Sequence, residues 1–199
     1  MKFEGNLDKL KDGFKQLPGI GEKTAERLAF HLISGDKQSA LDLANLIKES
    51  INSIKRCEIC NMLSEESPCS FCKDETRLKN VLCIVEKTQD VYLIENTSEY
   101  KGRYFVLGNL ISPLNGIGPK QINFPKLQKI ISQGDITELI LALNPSSNGE
   151  TTMSFITSEL NGKNLKITRL ATGLPIGGDI EFISSKTLAS AIKNRNEIK

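Results

Sequence analysis

The sequence predicts an α/β protein: an N-terminal helix-hairpin-helix bundle, a four-cysteine finger, a mainly parallel sheet and a short C-terminal segment. Three observations predict it. Apolar residues near the N-terminus recur at helical spacing around a Pro-Gly turn, four cysteines then stand in two Cys-x-x-Cys pairs, and beyond them short apolar runs alternate with helix-like stretches. A chain of 199 residues is expected to form one main core with small satellites. With 39% hydrophobic and 25% charged residues it has the composition of an ordinary globular protein, which excludes a disordered or fibrous chain.

Leu7, Leu10 and Phe14 mark a first helix, and Leu17-Pro18-Gly19-Ile20-Gly21 breaks it. Ala25, Leu28, Ala29 and Leu32 follow at i, i+3, i+4, i+7 and give a second helix that ends near Ser34-Gly35-Asp36. From Ser39 onward, Ala40, Leu43, Ala44, Ile47, Ile51 and Ile54 line one face of a third helix running to the first cysteine. After the cysteine knot, which closes near Asp74, the runs 81–85, 104–107, 139–143 and 165–170 read as buried strands. The stretches 90–96, 126–133 and 152–160 read as the helices between them, an alternation that favours parallel strands.

Charge and hydropathy narrow the function classes. The net charge of +2 argues against a massively basic coat protein for nucleic acid. The excess lies wholly in residues 1–56, with ten Lys/Arg against eight Asp/Glu, while residues 57–199 hold sixteen of each. No apolar run exceeds five residues, against roughly 18 needed to span a bilayer, so no membrane segment is expected. Met1-Lys2-Phe3-Glu4-Gly5-Asn6 lacks the apolar core of an export signal, and a cytoplasmic location follows as the expectation.

The hairpin is the first candidate site. Gly19 and Gly21 let the backbone turn tightly and approach a phosphate, and the N–H groups opening the next helix bind the anion. Lys23 and Arg27, four residues apart on one helix face, add attraction to neighbouring phosphates. The alternative is a plain turn between helices. Gly21-Glu22-Lys23-Thr24 is not a nucleotide-binding loop, because Glu22 separates the glycine from the lysine and a helix, not a strand, precedes it.

Cys57 and Cys60, then Cys69 and Cys72, have the ligand spacing of a structural zinc site. Four thiolates leave no position for an activated water, so the one metal ion stabilises and does not catalyse. Two disulfides or four free thiols are the alternative. Cys83, within Val-Leu-Cys-Ile-Val, is read as a small core residue. The single histidine, His31, is read as a surface or capping residue near a helix end.

Glu86 follows the strand at 81–85, at the carboxyl end where open α/β sheets place ligands. The strand at 139–143 runs into Asn144-Pro145-Ser146-Ser147-Asn148-Gly149-Glu150, so Glu86 and Glu150 are expected to face each other across a crevice. Each is also readable as a solvated strand end.

The order of these parts resembles the RecR family of recombination mediators. Matching segments are Leu-Pro-Gly-Ile-Gly, the cysteine knot, Gly-Arg-Tyr-Phe-Val-Leu from Gly102, Ser-Pro-Leu-Asn-Gly-Ile-Gly-Pro from Ser112 and Gly-Leu-Pro-Ile-Gly-Gly from Gly173. The resemblance covers nearly the whole chain. It implies residues 1–54 as a DNA-binding helix-hairpin-helix region, 55–79 as a zinc finger, 80–173 as a Toprim domain and 174–199 as a Walker B-like, oligomerising segment. It implies a non-enzymatic role in DNA repair, helping RecO- and RecF-type partners load a recombinase onto single-stranded DNA. It also implies a homo-oligomer, such as a tetrameric ring, with Glu86 and Glu150 facing a protein partner.

Catalytic Toprim proteins pair a Glu with an Asp-x-Asp, since several carboxylates must hold a hard cation. Asn144 and Ser146 stand where those aspartates would be. The alternative reading is a metal-dependent Toprim nuclease or primase-like enzyme using Glu86 and Glu150. A fragment of an NAD-dependent ligase also combines a finger with hairpins, but the sequence has no Lys-x-Asp-Gly. Gly177-Gly178-Asp179-Ile180-Glu181 is similar to the family's Walker B-like stretch, and without a phosphate loop it makes no case for ATP hydrolysis.

Overall fold

The structure is a computed structural model describing residues 4–195 and 197. It comprises two compact units, Met1–Ile54 and Lys55–Lys199.

The first unit is helical: α1 (Asn6–Lys15), α2 (Glu22–Ser34) and α3 (Lys37–Ser53). Between α1 and α2 the chain turns through successive backbone bonds, Leu17 N to Phe14 O at 3.0 Å and Ile20 N to Leu17 O at 3.1 Å. Gly19 sits at φ 80°, a region that costs a side-chain-bearing residue strain. Ala25 and Ala29 are fully buried, small enough for the helices to approach closely. Helix α3 begins two residues earlier than its apolar pattern suggests, because Asp36 caps it by accepting from the backbone N–H of Gln38 and Ser39. Its apolar face does not find the core that the periodicity implies: α3 has no buried residue, and Leu43, Leu46, Ile47 and Ile51 are exposed.

The second unit opens with a two-stranded antiparallel hairpin, β1 (Lys55–Arg56) and β2 (Leu63–Ser64), and one turn of helix, α4 (Ser70–Lys73). Then come β3 (Leu78–Val85), α5 (Thr88–Glu95), β4 (Gly102–Val106), α6 (Phe124–Gln133), β5 (Glu138–Ala142), α7 (Ser147–Glu159), β6 (Lys166–Arg169) and α8 (Ser185–Lys193). The strands form a parallel sheet in the order β4-β3-β5-β6. Alternate residues of one strand therefore serve two cores. Leu82 and Ile84 join Phe105, Leu139, Leu141, Met153 and Ile156 on one face. Cys83 and Val85 join Tyr104, Val106, Val91 and the finger's Cys57, Cys60, Met62 and Cys69 on the other. The finger is thus not an appendage; it covers one face of the sheet.

The largest departure among the expected elements is α7, which starts at Ser147, five residues before the expected position. Ser146 caps it by accepting from Gly149 N at 3.1 Å. Asn144 to Gly149 reads as a loop by composition, yet Gly149 lies in the first turn of α7, where only glycine fits because a Cβ would lie 1.9 Å from Asn144 O. Helix α8 lies in a stretch where the sequence pattern predicts no helix, and it leaves no residue buried.

Candidate functional site

The turn between β1 and β2 carries Cys57 and Cys60. It closes through Asn61 N to Cys57 O at 3.0 Å and Cys57 N to Met62 O at 2.7 Å, with Asn61 at φ 63°. Cys69 caps α4 and Cys72 lies within it. The four Sγ atoms come within 4.8 Å of one another, with Cys60 to Cys69 at 3.4 Å and Cys57 to Cys72 at 3.9 Å. A tetrahedral zinc at a Zn–S distance of about 2.3 Å places its sulfurs about 3.8 Å apart, so the donor set fits one ion. Disulfides, with S–S near 2.05 Å, do not match these separations. The packed sulfurs also interact directly. Their shared hydrogen bond leads in raising the Cys60 thiol above its ordinary range and in lowering that of Cys69, so one sulfur of the pair gives up its proton readily. Bound there, zinc supplies a cross-link between two short segments and no open coordination position.

On the first unit, Gly21 precedes α2 as its N-cap, and Lys23 and Arg27 are both exposed on that helix. The acid between them and the glycine is otherwise engaged. Glu22 pairs with Lys15 and, at 3.2 Å, with Lys11, and the hydrogen bonds from Lys15 and then Lys11 hold its carboxyl below the usual range. Among the described residues neither Lys23 nor Arg27 forms an ion pair, so both charges face solvent beside a glycine turn. His31 is exposed in the last turn of α2.

Residues 7–51 match the family model described as "RecR, helix-hairpin-helix", residues 54–74 match the RecR zinc finger domain with four cysteine ligands, and residues 80–171 match the "Toprim domain". The chain is 42% identical over 197 residues to a recombination protein RecR of Bifidobacterium longum subsp. infantis, covering 99% of this chain and 98% of that one. This chain belongs to the RecR family. A Nocardioides RecR is 42% identical over 97% of both chains, and one from Staphylococcus aureus is 40% identical over the full length of both. In this RecR-family chain the four-cysteine cluster is the zinc finger, the hairpin is the family's DNA-binding motif, and the parallel sheet is the Toprim domain.

At the carboxyl end of that sheet, Glu86 follows β3 directly, largely covered, with Lys87 Nζ at 3.4 Å. Glu150 lies in the first turn of α7, and both its oxygens accept from Arg169 at 3.1 Å. Each carboxylate therefore has a cation of its own. Ser146 is committed to capping α7, and Asn144 closes the turn into it, its O accepting from Ser146 N at 2.8 Å. Asp179 likewise caps a short turn, accepting from Glu181 N at 3.1 Å, and it follows no strand.

Several residues that sequence reasoning passed over hold these parts together. Asn61 donates to Val106 O at 2.7 Å while Val106 N donates to Cys60 O at 2.9 Å, so the finger pairs with the end of β4. Lys126 on α6 donates to Cys57 O at 3.0 Å. Arg77 lies over Phe71 and pairs with Glu95, which also accepts from Tyr104. Burial opposes the Glu95 charge, but the bonds from Arg77 and Tyr104 outweigh it and hold the carboxyl below its ordinary value. Thr152, fully buried, accepts from Ile111 N at 2.9 Å and ties the loop after β4 to α7. No composition or spacing signal marks these residues, because their partners are distant in sequence. Cys83 is buried in β3, where burial pushes its thiol up to about 12 and keeps it inert.

Proposed function

We propose that this chain is a DNA-binding recombination mediator in DNA repair, one that acts with RecO- and RecF-type partners to place a recombinase on single-stranded DNA. The observation that carries the reading is the pair of unengaged cations, Lys23 and Arg27, exposed on the helix that follows Gly19 and Gly21. Such a surface grips phosphates without reading bases, which suits a protein that must bind any sequence. The relatives' name, recombination protein RecR, supports the cellular role. Cys57, Cys60, Cys69 and Cys72 are the proposed zinc ligands.

We take the chain to be no enzyme. Asn144 and Ser146 offer no carboxylate, and Glu150 is already occupied by Arg169, so a hard cation would have Glu86 and little else. Glu86 and Glu150 are instead proposed to face a protein partner, presenting charged groups at the carboxyl edge of the sheet. The exposed apolar residues of α3, together with Ile176 and Phe182 in the C-terminal segment, support a homo-oligomer such as a ring. No helix among the described residues is long and apolar enough to cross a membrane. We place the protein in the cytoplasm.

The test is a salt titration of DNA binding, native chain against Lys23→Ala/Arg27→Ala, with Mg²⁺ present and the DNA examined afterwards. The expected result is intact DNA and, for two lost phosphate contacts on duplex, a slope of log affinity against log salt shallower by up to about 1.8. Cleaved DNA would instead favour the Toprim nuclease reading.

A further inference from the structure

The sheet has an amino end opposite the carboxyl end that carries Glu86 and Glu150. There the pairing of β3 with β4 slips: Leu78 pairs with Gly102 and Leu82 with Arg103, so residues 79–81 bulge with no partner on β4. The Tyr100 hydroxyl braces the slip, donating to Arg103 O at 2.7 Å with Val81 O at 3.2 Å. Beside the bulge lies a cavity of about 210 Å³, walled by the finger, by β3 and β4, and by the turn from α6 into β5. Its aliphatic wall comes from four separate parts of the second unit: Ile59, Leu82, Ile130 and Ile136.

Three charged side chains stand in the same wall: Lys79 in the bulge, Arg103 on β4 and Asp135 in the turn. Lys79 and Asp135 are exposed, and Arg103 is half-buried. Among the described residues none of the three forms an ion pair, and Arg103 Nε is sealed from solvent with no hydrogen-bond partner. The other side-chain nitrogen left in that state, Arg77 Nε, has Asp74 at 3.4 Å. Arg103 has no acid of its own. A guanidinium N–H shut away from water without an acceptor carries a cost that an incoming oxygen removes.

The volume lies below the roughly 300–1,000 Å³ of small-molecule sites and suits one large side chain. Two cations against one acid select a negative group, and the planar fork of arginine matches a carboxylate at two points. The wall offers a base no platform to stack on. Tyr104, its one aromatic residue, packs edge-on with Phe71 and Tyr100 and donates its hydroxyl to Glu95. We propose that this cavity is a docking site for an extended segment of a partner protein. One side chain the size of leucine or phenylalanine enters the aliphatic wall, and the carboxylate beside it meets Arg103 and Lys79. The site is separate from the carboxyl end of the sheet and does not depend on the hairpin reading.

The experiment uses zinc-loaded, full-length protein with isotope-labelled isoleucine methyl groups, so that Ile59, Ile130 and Ile136 report on the wall directly. The probes are the peptide Ser-Gly-Asp-Leu-Glu-Gly-Ser, the same peptide with Phe or Ala in place of Leu, and a mixed-sequence single-stranded oligonucleotide. The Leu or Phe peptide is expected to shift the three methyl signals saturably at up to about 1 mM, and the Ala peptide to leave them in place. Arg103→Gln should weaken binding about tenfold through one lost charge-assisted bond, whereas Asp135→Asn should tighten it about twofold by removing the one opposing charge. A purely structural role for these residues does not give opposite signs. No shift with any peptide overturns the proposal, and so does equal affinity in Arg103→Gln. If Arg103→Gln folds poorly, Lys79→Gln and Asp135→Asn, both at exposed positions, carry the same pair of signs. Methyl shifts caused by the oligonucleotide and lost in Lys79→Gln would replace the partner protein with nucleic acid. A change of oligomer size in Lys79→Gln/Arg103→Gln would instead make the cavity a contact between copies of this chain.

Discussion

Gly13 and Gly149 both lie inside helices, although the sequence pattern marks a helix only around Gly13. Gly13 has open space around it, whereas a Cβ on Gly149 would strike Asn144 O. Gly13→Ala is therefore expected to stabilise by about 0.5–1 kcal/mol, the usual gain in a helix interior. Gly149→Ala should cost about 1–3 kcal/mol by overpacking. Thermal unfolding would separate the two by sign, and a stable Gly149→Ala protein would mean that the turn into α7 yields easily. The same contrast applies to the candidate site residues. Cys57, Cys60, Cys69 and Cys72 were legible because a metal imposes a fixed local spacing. Asn61, Arg77 and Thr152 were not, because each acts on a group many residues away: Val106, Glu95 and Ile111.

The finger, seen as an element, is read from sequence as a local staple, but the structure makes it a cover for the sheet. Cys57, Cys60 and Cys69 pack with Val85, Tyr104 and Val106, and Asn61, Cys60 and Lys126 bond across the join. Because binding energy at such a site becomes folding energy, metal loss should reach beyond the cysteines. Chelation followed by hydrogen exchange is expected to deprotect β4 and the end of β3 along with the finger, and to leave α1 and α2 unchanged. If exchange rose only within residues 55–74, the finger would be energetically separate from the sheet. Helix α7 gives the complementary case. Its start is hidden in sequence by loop-forming residues, since Ser146 and Gly149 favour turns, yet here Ser146 is the cap outside the helix and Gly149 lies in its first turn, where there is no room for a side chain.

At the scale of the whole molecule, α3 stands out because it buries no residue of its own. A 17-residue helix with five large aliphatic residues exposed, Leu41, Leu43, Leu46, Ile47 and Ile51, leaves apolar surface of the kind that proteins cover by association. Native protein is expected to run as an oligomer in sizing with light scattering at micromolar concentration, and Leu46→Glu/Ile51→Glu to run as a smaller species of unchanged helix content. A native monomer at that concentration would remove the support for a ring. The Toprim sheet, by comparison, is complete within the chain, with helices on one face and helix plus finger on the other.

The sequence by itself determined the order and type of the main elements, the four sulfurs and the hairpin cations, because each is written in a local period or spacing that neighbouring residues alone satisfy. Tertiary structure decided the rest. It turned the finger into half of a core, paired Glu150 with Arg169 and left the α3 face exposed. These outcomes depend on which distant groups compete for the same buried surface or charge, and no local pattern encodes that competition.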